Sequence, residues 1–565
     1  MTSLRLKKGA RERAGGKPAG ARRATPLLSS PRMAAHLIAS AARRALLPRR
    51  LAHLAIATRA SMAGTNRIVF LGGGNSAGYF ASQLAADGAL EPGSVTIVTD
   101  EQVCGRRRGE RRALAAPDCG PSARGAPPRP RPPASHGARR SMWSNMRVGF
   151  GSTAAPRPSQ TVSYERPALS KAYLAPTNPA RLPGFHACVG GGGERQTGDW
   201  YEGKGVEYRL GARATAVDAA AKTVTLASGD TLLYDTLVVA TGARPLNLAS
   251  DFKVPGADAA GILYLRSVAD ADALHAALAA AAASKSPVVI VGGGYIGLEV
   301  AAAAVGWGLT PTLVFPEDRV LARQLTPAAA AFYEEYYVAK GCTLVKGATA
   351  VGFEAGSDGR VAAVTLSDGR SLPAPLVVVG AGARPNTDLL HGQVDLVDGP
   401  PGGVKVDASL RSSDPSILAV GDIAAFPGPG GALERHEHVQ NARESARHAA
   451  RVVAGTDKGA GYTYLPYFYS RVFADALAWV MYGRQEGTAV DWGVRDGKAA
   501  ASGGGKAVFG TYWVDADNRV VGAFLEGGSP DDVAAVKAVA VAAPTAPADL
   551  AGQGLAFARG VAAKL

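Results

Sequence analysis

Between Arg67 and Asp422 the chain keeps returning to one pattern: a short run of aliphatic or β-branched residues, a glycine turn, then an alanine-rich stretch with helical spacing. Short, wholly apolar runs bounded by turns read as strands buried on both faces. Their alternation with helices reads as α/β with parallel sheets. Strands are predicted at 67–71, 94–99, 236–240, 288–291, 311–315, 375–379 and 417–420, and helices at 77–87, 295–307 and 435–452. From Tyr462 onward aromatic residues and alternation take over, predicting a smaller α+β domain with strands at 507–513 and 519–525.

Two segments fall outside this pattern. Residues 1–62 hold 14 Lys/Arg and a single acid, Glu12. Met33 to Ala60 has amphipathic spacing with Arg43, Arg44, Arg49 and Arg50 near its middle, the composition of an organelle transit peptide. A mistaken start, with Met62 as initiator, is the alternative. Residues 104–161 hold 12 arginines and two acids, Glu110 and Asp118, in runs such as Arg106-Arg107-Arg108 that build no core. This stretch reads as a disordered insertion or as translated intron, the latter favoured because ordinary sequence resumes abruptly at Tyr164.

The formal charge of +15 changes meaning once it is located. Outside these two segments the chain carries 36 basic and 44 acidic groups, a net of −8. The folded body is acidic, which argues against a nucleic-acid surface. No apolar run reaches the roughly 18 to 20 residues of a membrane helix. The nearest, 271–291, is split by Ser284-Lys285-Ser286-Pro287. Cys104, Cys119, Cys188 and Cys342 form no close pair, so neither a disulfide scaffold nor a metal site is expected. Ala563-Lys564-Leu565 resembles the peroxisomal S-K-L address and competes with the N-terminal one. The compartment therefore reads as chloroplast or mitochondrion from one end and peroxisome from the other, with cytoplasm if neither acts.

The chemistry lies in two glycine fingerprints. Arg67-Ile-Val-Phe-Leu-Gly72-Gly73-Gly74-Asn75-Ser76-Ala77 joins a strand to a helix through a tight turn. Such a turn brings backbone N–H groups and a helix N-terminus to a pyrophosphate. Its second strand ends at Asp100-Glu101, where a ribose hydroxyl needs an acceptor. Val288-Val-Ile-Val-Gly292-Gly293-Gly294-Tyr295-Ile296-Gly297-Leu298-Glu299 repeats the unit, and its next strand ends near Glu317. Glu317 favours NADH, while Arg323 nearby softens that choice towards NADPH. Leu237-Val-Val-Ala-Thr241-Gly242 and Val377-Val-Val-Gly-Ala-Gly382 read as strands where the chain crosses between nucleotide domains. Asp422, after Ile417-Leu-Ala-Val-Gly421, reads as an acceptor for a ribityl chain or as a helix N-cap.

Two such units in this order resemble the FAD- and NAD(P)-dependent reductases of the glutathione-reductase type. Where the disulfide branch carries C-x-x-x-x-C, this chain has Tyr164-Glu165-Arg166-Pro167-Ala168-Leu169-Ser170-Lys171, so disulfide exchange lacks its nucleophile. That segment, with Arg181 to Arg195, Ala330 to Tyr337 and Tyr464 to Arg471, resembles the plant and algal monodehydroascorbate reductases over residues 67–528, interrupted by 104–161. The resemblance implies two Rossmann-like domains and a small C-terminal α+β domain, binding FAD and NADH or NADPH. It implies FAD contacts at Gly73, Gly74, Asn75, Ser76, Glu101, Arg166, Lys171, Ala214, Arg266, Asp422 and Val439. NAD(P) contacts are implied at Gly292, Gly293, Gly294, Tyr295, Ile296, Gly297, Leu298, Glu317, Arg323, Gly382, Glu437, His438 and Tyr469. Arg443 and Arg471 would hold the anionic radical, with Tyr469 between it and the flavin.

The implied domains are an extension at 1–62, an FAD domain at 63–248 and 385–455, an NAD(P) domain at 249–384, a C-terminal domain at 456–541 and a flexible tail at 542–565. The implied reaction is reduction of a small-molecule radical, with hydride passing to FAD and leaving as two single electrons. No acid–base triad is needed and none is visible. Two alternatives remain open at this stage. One is a flavoprotein that reduces a ferredoxin-like partner, which would want a basic docking face. The other is a redox-sensing flavoprotein that binds nucleic acid, which would want a basic folded surface. Three departures from the resemblance bear on the cofactor sites: the 104–161 insertion between Glu101 and Arg166, Ser163 where proline is usual, and the variation at His436-Glu437-His438 and Gln440-Asn441 among the nicotinamide contacts.

Overall fold

The structure, a computed structural model, describes residues 66–101, 162–182, 188, 194–503 and 506–565. The expectations for 33–60 and 104–161 lie outside these residues, as does most of 183–193.

The apolar runs assemble into two parallel five-stranded sheets. The first has the spatial order Ile417–Ala419, Thr236–Val239, Ile68–Leu71, Val95–Val98, Glu207–Arg209. The second has the order Thr343–Lys346, Thr312–Phe315, Val288–Val291, Leu376–Val379, Ile262–Tyr264. Ile68–Leu71 and Val288–Val291 are buried at every position, as continuous apolar runs require in a sheet covered on both faces.

The two glycine turns share one geometry. Gly72 has φ +124° and Gly292 has φ +125°, a region that disfavours side chains. A Cβ on Gly72 would lie 2.2 Å from the Ala240 carbonyl oxygen, and one on Gly292 would lie 2.3 Å from that of Gly380. Each chain exit thus presses on the end of the neighbouring strand, and only glycine fits.

Two features were not expected from the sequence. Before the strand at 236 and again before that at 376, a three-stranded antiparallel sheet is inserted: Ala214–Asp218, Thr223–Leu226, Thr231–Leu233 and Ala350–Ala355, Val361–Leu366, Ser371–Pro373. Beyond the two crossing points, Ala243–Pro245 pairs antiparallel with Ala383–Pro385 and ties the exits of the two nucleotide sheets together.

The C-terminal sheet is antiparallel, in the order Tyr467–Val472, Leu477–Gly483, Val520–Glu526, Phe509–Val514, Thr488–Gly493. One face packs Trp479, Phe509 and Phe524 against Phe332, Tyr333, Tyr336 and Tyr337 of the helix Pro327–Ala339. The other packs Val480, Tyr512 and Leu525 against the helices Pro530–Ala542 and Leu550–Ala562. The expectation of a flexible tail at 542–565 is therefore corrected. Leu550 and Ala558 are buried in this second core, and the Tyr512 hydroxyl donates to the Gly554 carbonyl at 2.9 Å.

Candidate active site

One cleft of about 890 Å³ runs between the two nucleotide sheets. Gly73, Gly74, Asn75, Ser76, Glu101, Arg166, Lys171, Ala214, Arg266, Asp422 and Val439 all line it. It is lined also by Tyr295, Ile296, Glu437, His438, Phe468 and Tyr469. Two halves of the chain more than 300 residues apart in sequence thus share one cavity, because the strand Ile417–Ala419 returns to the edge of the first sheet.

At the first glycine turn the cavity has room for a phosphate. Gly74 is the N-cap of the helix Asn75–Ala86, and a Cβ there would meet nothing closer than Arg166 Nη2 at 4.0 Å. Gly294 caps the helix Tyr295–Gly306 in the same way, with no atom within 4 Å of its would-be Cβ. In both places the backbone opens onto free space at a positive helix end, the arrangement that receives a pyrophosphate. The side chains of Asn75 and Ser76 have a different task. Ser76 Oγ donates to the Ala442 carbonyl at 3.0 Å and Asn75 Nδ2 to that of Val439 at 3.4 Å, docking the helix Val439–Ala454 beside the turn.

Glu101 lies three residues past the strand Val95–Val98 and is held by its neighbours. Arg166 Nη2 donates to one of its oxygens at 2.5 Å and the Tyr164 hydroxyl to the other at 2.5 Å. Burial would raise its carboxyl, but Arg166 outweighs burial with help from Tyr164 and holds it below the usual range. Asp422 Oδ2 accepts from Arg266 Nη2 at 2.9 Å, and among the described residues its Oδ1 takes no hydrogen bond. Asp422 lies within a single 3₁₀ turn, Gly421–Ile423, so the N-cap reading of this residue falls away and an acceptor faces the cleft. A large nucleotide with a polyhydroxyl chain fits this donor set.

Sequence reasoning passed over Glu299. It is 2% exposed, yet it accepts from Lys171 Nζ at 2.8 Å, from Ser470 Oγ at 2.6 Å and from Ser170 Oγ. Three side chains from two distant parts of the chain meet at this carboxylate on the cleft wall. Its one signal was an acid in an otherwise apolar helix, Leu298-Glu299-Val300-Ala301.

The nicotinamide candidates divide. Tyr295, Ile296, Glu437, His438 and Tyr469 line the cleft; Gly292, Gly293, Gly294, Gly297, Leu298, Glu317, Arg323 and Gly382 do not. Leu298 is 4% exposed and faces the second core, so its side chain packs the helix. Glu317 is half-buried just past the strand Thr312–Phe315, and Arg323 is exposed. His438 is the N-cap of the helix Val439–Ala454, its Nδ1 accepting from the Gln440 N–H at 3.2 Å. This cap starts the helix at 439 where 435 was expected. Burial first, then the positive Arg443 and Lys171, lower its imidazole to about 3, so it is neutral with its proton on Nε2.

Tyr469 and Arg471 share one face of the strand Tyr467–Val472; Tyr469 faces the cleft and Arg471 is exposed. Arg443 is half-buried on the helix Val439–Ala454; burial raises the phenol of Tyr469, and the positive Arg443 offsets only part of that rise. Neither arginine lines the cleft itself, whereas Tyr469 does.

Residues 139–446 match the family Pyridine nucleotide-disulphide oxidoreductase, and residues 465–558 match Monodehydroascorbate reductase 3-like, C-terminal domain. A monodehydroascorbate reductase of Pisum sativum is 48% identical over 401 residues, covering 70% of this chain and 89% of the relative. Monodehydroascorbate reductase 4, peroxisomal, of Arabidopsis thaliana is 44% identical over 70% of this chain and 79% of the relative. Among solved structures, the covalent putidaredoxin reductase–putidaredoxin complex aligns with TM-score 0.67 at 26% identity, covering 88% of this chain and 98% of that one.

Proposed function

The chain belongs to the pyridine nucleotide-disulphide oxidoreductases and, within them, to the monodehydroascorbate reductases, and from that premise we propose how its own residues serve the reaction. The reaction is NAD(P)H plus a proton and two monodehydroascorbate radical anions giving NAD(P)+ and two ascorbate anions. Bound FAD supplies the conversion of one hydride into two single electrons.

The protein binds FAD along the cleft. Gly74 and the helix N-terminus behind it take the pyrophosphate, Glu101 the ribose and Asp422 the ribityl hydroxyls. Gly294 and Glu317 take the nicotinamide nucleotide, with Glu317 favouring the free 2′-hydroxyl of NADH. Neutral His438 and the ring of Tyr469 line the cleft and exclude water. The pair of half-buried Lys171 and buried Glu299 holds the wall there, with Ser170 and Ser470 saturating the carboxylate.

The acceptor is a small anion that needs attraction and orientation rather than bond formation, and arginines beside the cleft supply both. The observation that supports this reading is the strand Tyr467–Val472: Tyr469 lines the cleft and Arg471, two residues on along the same face, is exposed, within a segment that matches a monodehydroascorbate reductase domain. Relatives named peroxisomal support an organellar location.

The test follows the ascorbyl radical by electron paramagnetic resonance while protein and NADH are added. Wild-type protein lowers the steady-state signal. Arg471→Ala raises the KM for the radical by about tenfold or more, the loss of one charge-assisted contact, with the KM for NADH unchanged. Equal effects on both KM values would remove Arg471 from the acceptor site.

A further inference from the structure

Arg443 does not stand free beside the cleft residue Tyr469. Its Nε donates to Glu165 Oε1 at 2.8 Å and its Nη2 to Glu165 Oε2 at 2.5 Å, so the two-toothed edge of the guanidinium is closed on a carboxylate. The Tyr79 hydroxyl donates to Glu165 Oε1 at 2.8 Å and fixes the carboxylate in place. Tyr79 is in turn flanked by Arg443 and Arg447, whose guanidinium carbons lie 5.4 and 4.6 Å from its ring centre. Glu165 and Arg443 are 278 positions apart, one beside the flavin-site residue Arg166 and the other on the helix Val439–Ala454. Only Nη1 points elsewhere, with a long 3.3 Å hydrogen bond to Gln440 Oε1.

A bidentate carboxylate is the strongest partner an arginine commonly finds, and an incoming anion has to compete with it. That competition matters because substrate and product here have the same charge. Coulomb attraction that gathers the radical anion holds the ascorbate anion equally well, and binding both alike does not raise turnover. Two open arginine forks beside the cleft would retain the product.

We infer that Glu165 is a positioning residue for the acceptor: it occupies the fork of Arg443, leaves only the Nη1 edge for the anion, and so keeps the site from gripping ascorbate. Arg471, exposed and in no ion pair among the described residues, then provides the attraction, while Arg443 orients the anion without clamping it. This rests on the acceptor being the anionic radical proposed above. Glu165 acts through Arg443 and touches no reacting atom.

The test compares Glu165→Gln with wild type in steady-state turnover, with ascorbate added as product inhibitor. The variant frees the fork. The KM for the radical falls severalfold, kcat falls, and ascorbate inhibits at about tenfold lower concentration, while the KM for NADH stays within about twofold. A role confined to stability would lower kcat through loss of active protein and move neither the KM nor the inhibition constant. Tyr79→Phe, which leaves the ion pair but removes its brace, shifts both constants the same way by about two- to threefold. In an Arg443→Gln background the effect of Glu165→Gln disappears. A raised KM, or unchanged ascorbate inhibition, overturns the inference. Ferricyanide, a second anionic acceptor, separates the two readings. Wild type that turns over ferricyanide but not the radical overturns the substrate assignment, and the variants' KM for ferricyanide still decides the role of Glu165.

Discussion

Replacing Glu526 by Gln is expected to change how stability depends on pH. Glu526 is 1% exposed at the seam between the C-terminal sheet and the helix Pro327–Ala339. The Tyr333 hydroxyl donates to one of its oxygens and the Ala478 N–H to the other at 2.8 Å; Tyr336 and Tyr337 lie alongside, and Lys506 is its cationic neighbour. Burial pushes the carboxyl from 4.5 up to about 7, against the downward pull of Tyr333, the N–H groups of Ala478 and Gly527, and Lys506. The folded protein therefore keeps this proton where the unfolded chain has lost it. The resulting stabilisation is complete below about pH 4.5 and is lost as pH rises to about 7, at about 1.4 kcal/mol per pH unit, or about 3 kcal/mol in all. Glutamine has no such ionisation, but its amide offers one acceptor to two donors, a pH-independent loss of about 1–2 kcal/mol. The two stability curves should cross: the variant is weaker near pH 5 and stronger near pH 8. Urea unfolding at several pH values, followed by the fluorescence of the seam residues Trp479 and Trp513, measures both curves. Parallel curves would refute the reasoning. The site bears on function because Ala478 is the register partner of Arg471, so the same carboxylate anchors the strand pair that presents Arg471.

The glycine turns separate fold from cofactor. Gly72→Ala places a Cβ 2.2 Å from the Ala240 carbonyl at φ +124°, and a loss of more than about 3 kcal/mol is expected in unfolding experiments. Gly74→Val, with open space before it, leaves the thermal unfolding of FAD-free protein unchanged while flavin content, read from visible absorbance, falls sharply. Glu317→Ala removes the acceptor for the ribose hydroxyl and raises the KM for NADH by about tenfold while that for NADPH changes by less than about twofold; parallel changes would take Glu317 away from the ribose.

What was legible in the chain was local. Gly72, Gly74, Gly292 and Gly294 announce two nucleotide turns because each strand, turn and helix is a contiguous run, and the strands at 68, 95, 236, 288, 312, 376 and 417 follow from apolar runs with no competing pattern. What escaped depends on contacts across the fold. Glu299 becomes a hub only when Ser170, Lys171 and Ser470 arrive around it, and Glu165 closes on Arg443 across 278 residues. The helix Leu550–Ala562 is glycine-rich and weakly helical in composition; its order comes from Leu550 and Ala558 packing under the sheet. The outer strands of the two small antiparallel sheets, Ala214–Asp218, Thr231–Leu233 and Ser371–Pro373, are largely exposed and carry little apolar signal of their own.

The central claim is that this cleft passes electrons from NADH through FAD to the monodehydroascorbate radical. NADH absorbance is to be followed in purified, FAD-loaded protein, with ascorbate and ascorbate oxidase generating the radical and a ferredoxin-like protein as the alternative acceptor. Rapid NADH loss that starts with the oxidase, stops when the radical is exhausted and is not matched by the protein acceptor is the predicted result. A yellow protein whose flavin NADH reduces, but which turns over only with the ferredoxin-like acceptor, would contradict it.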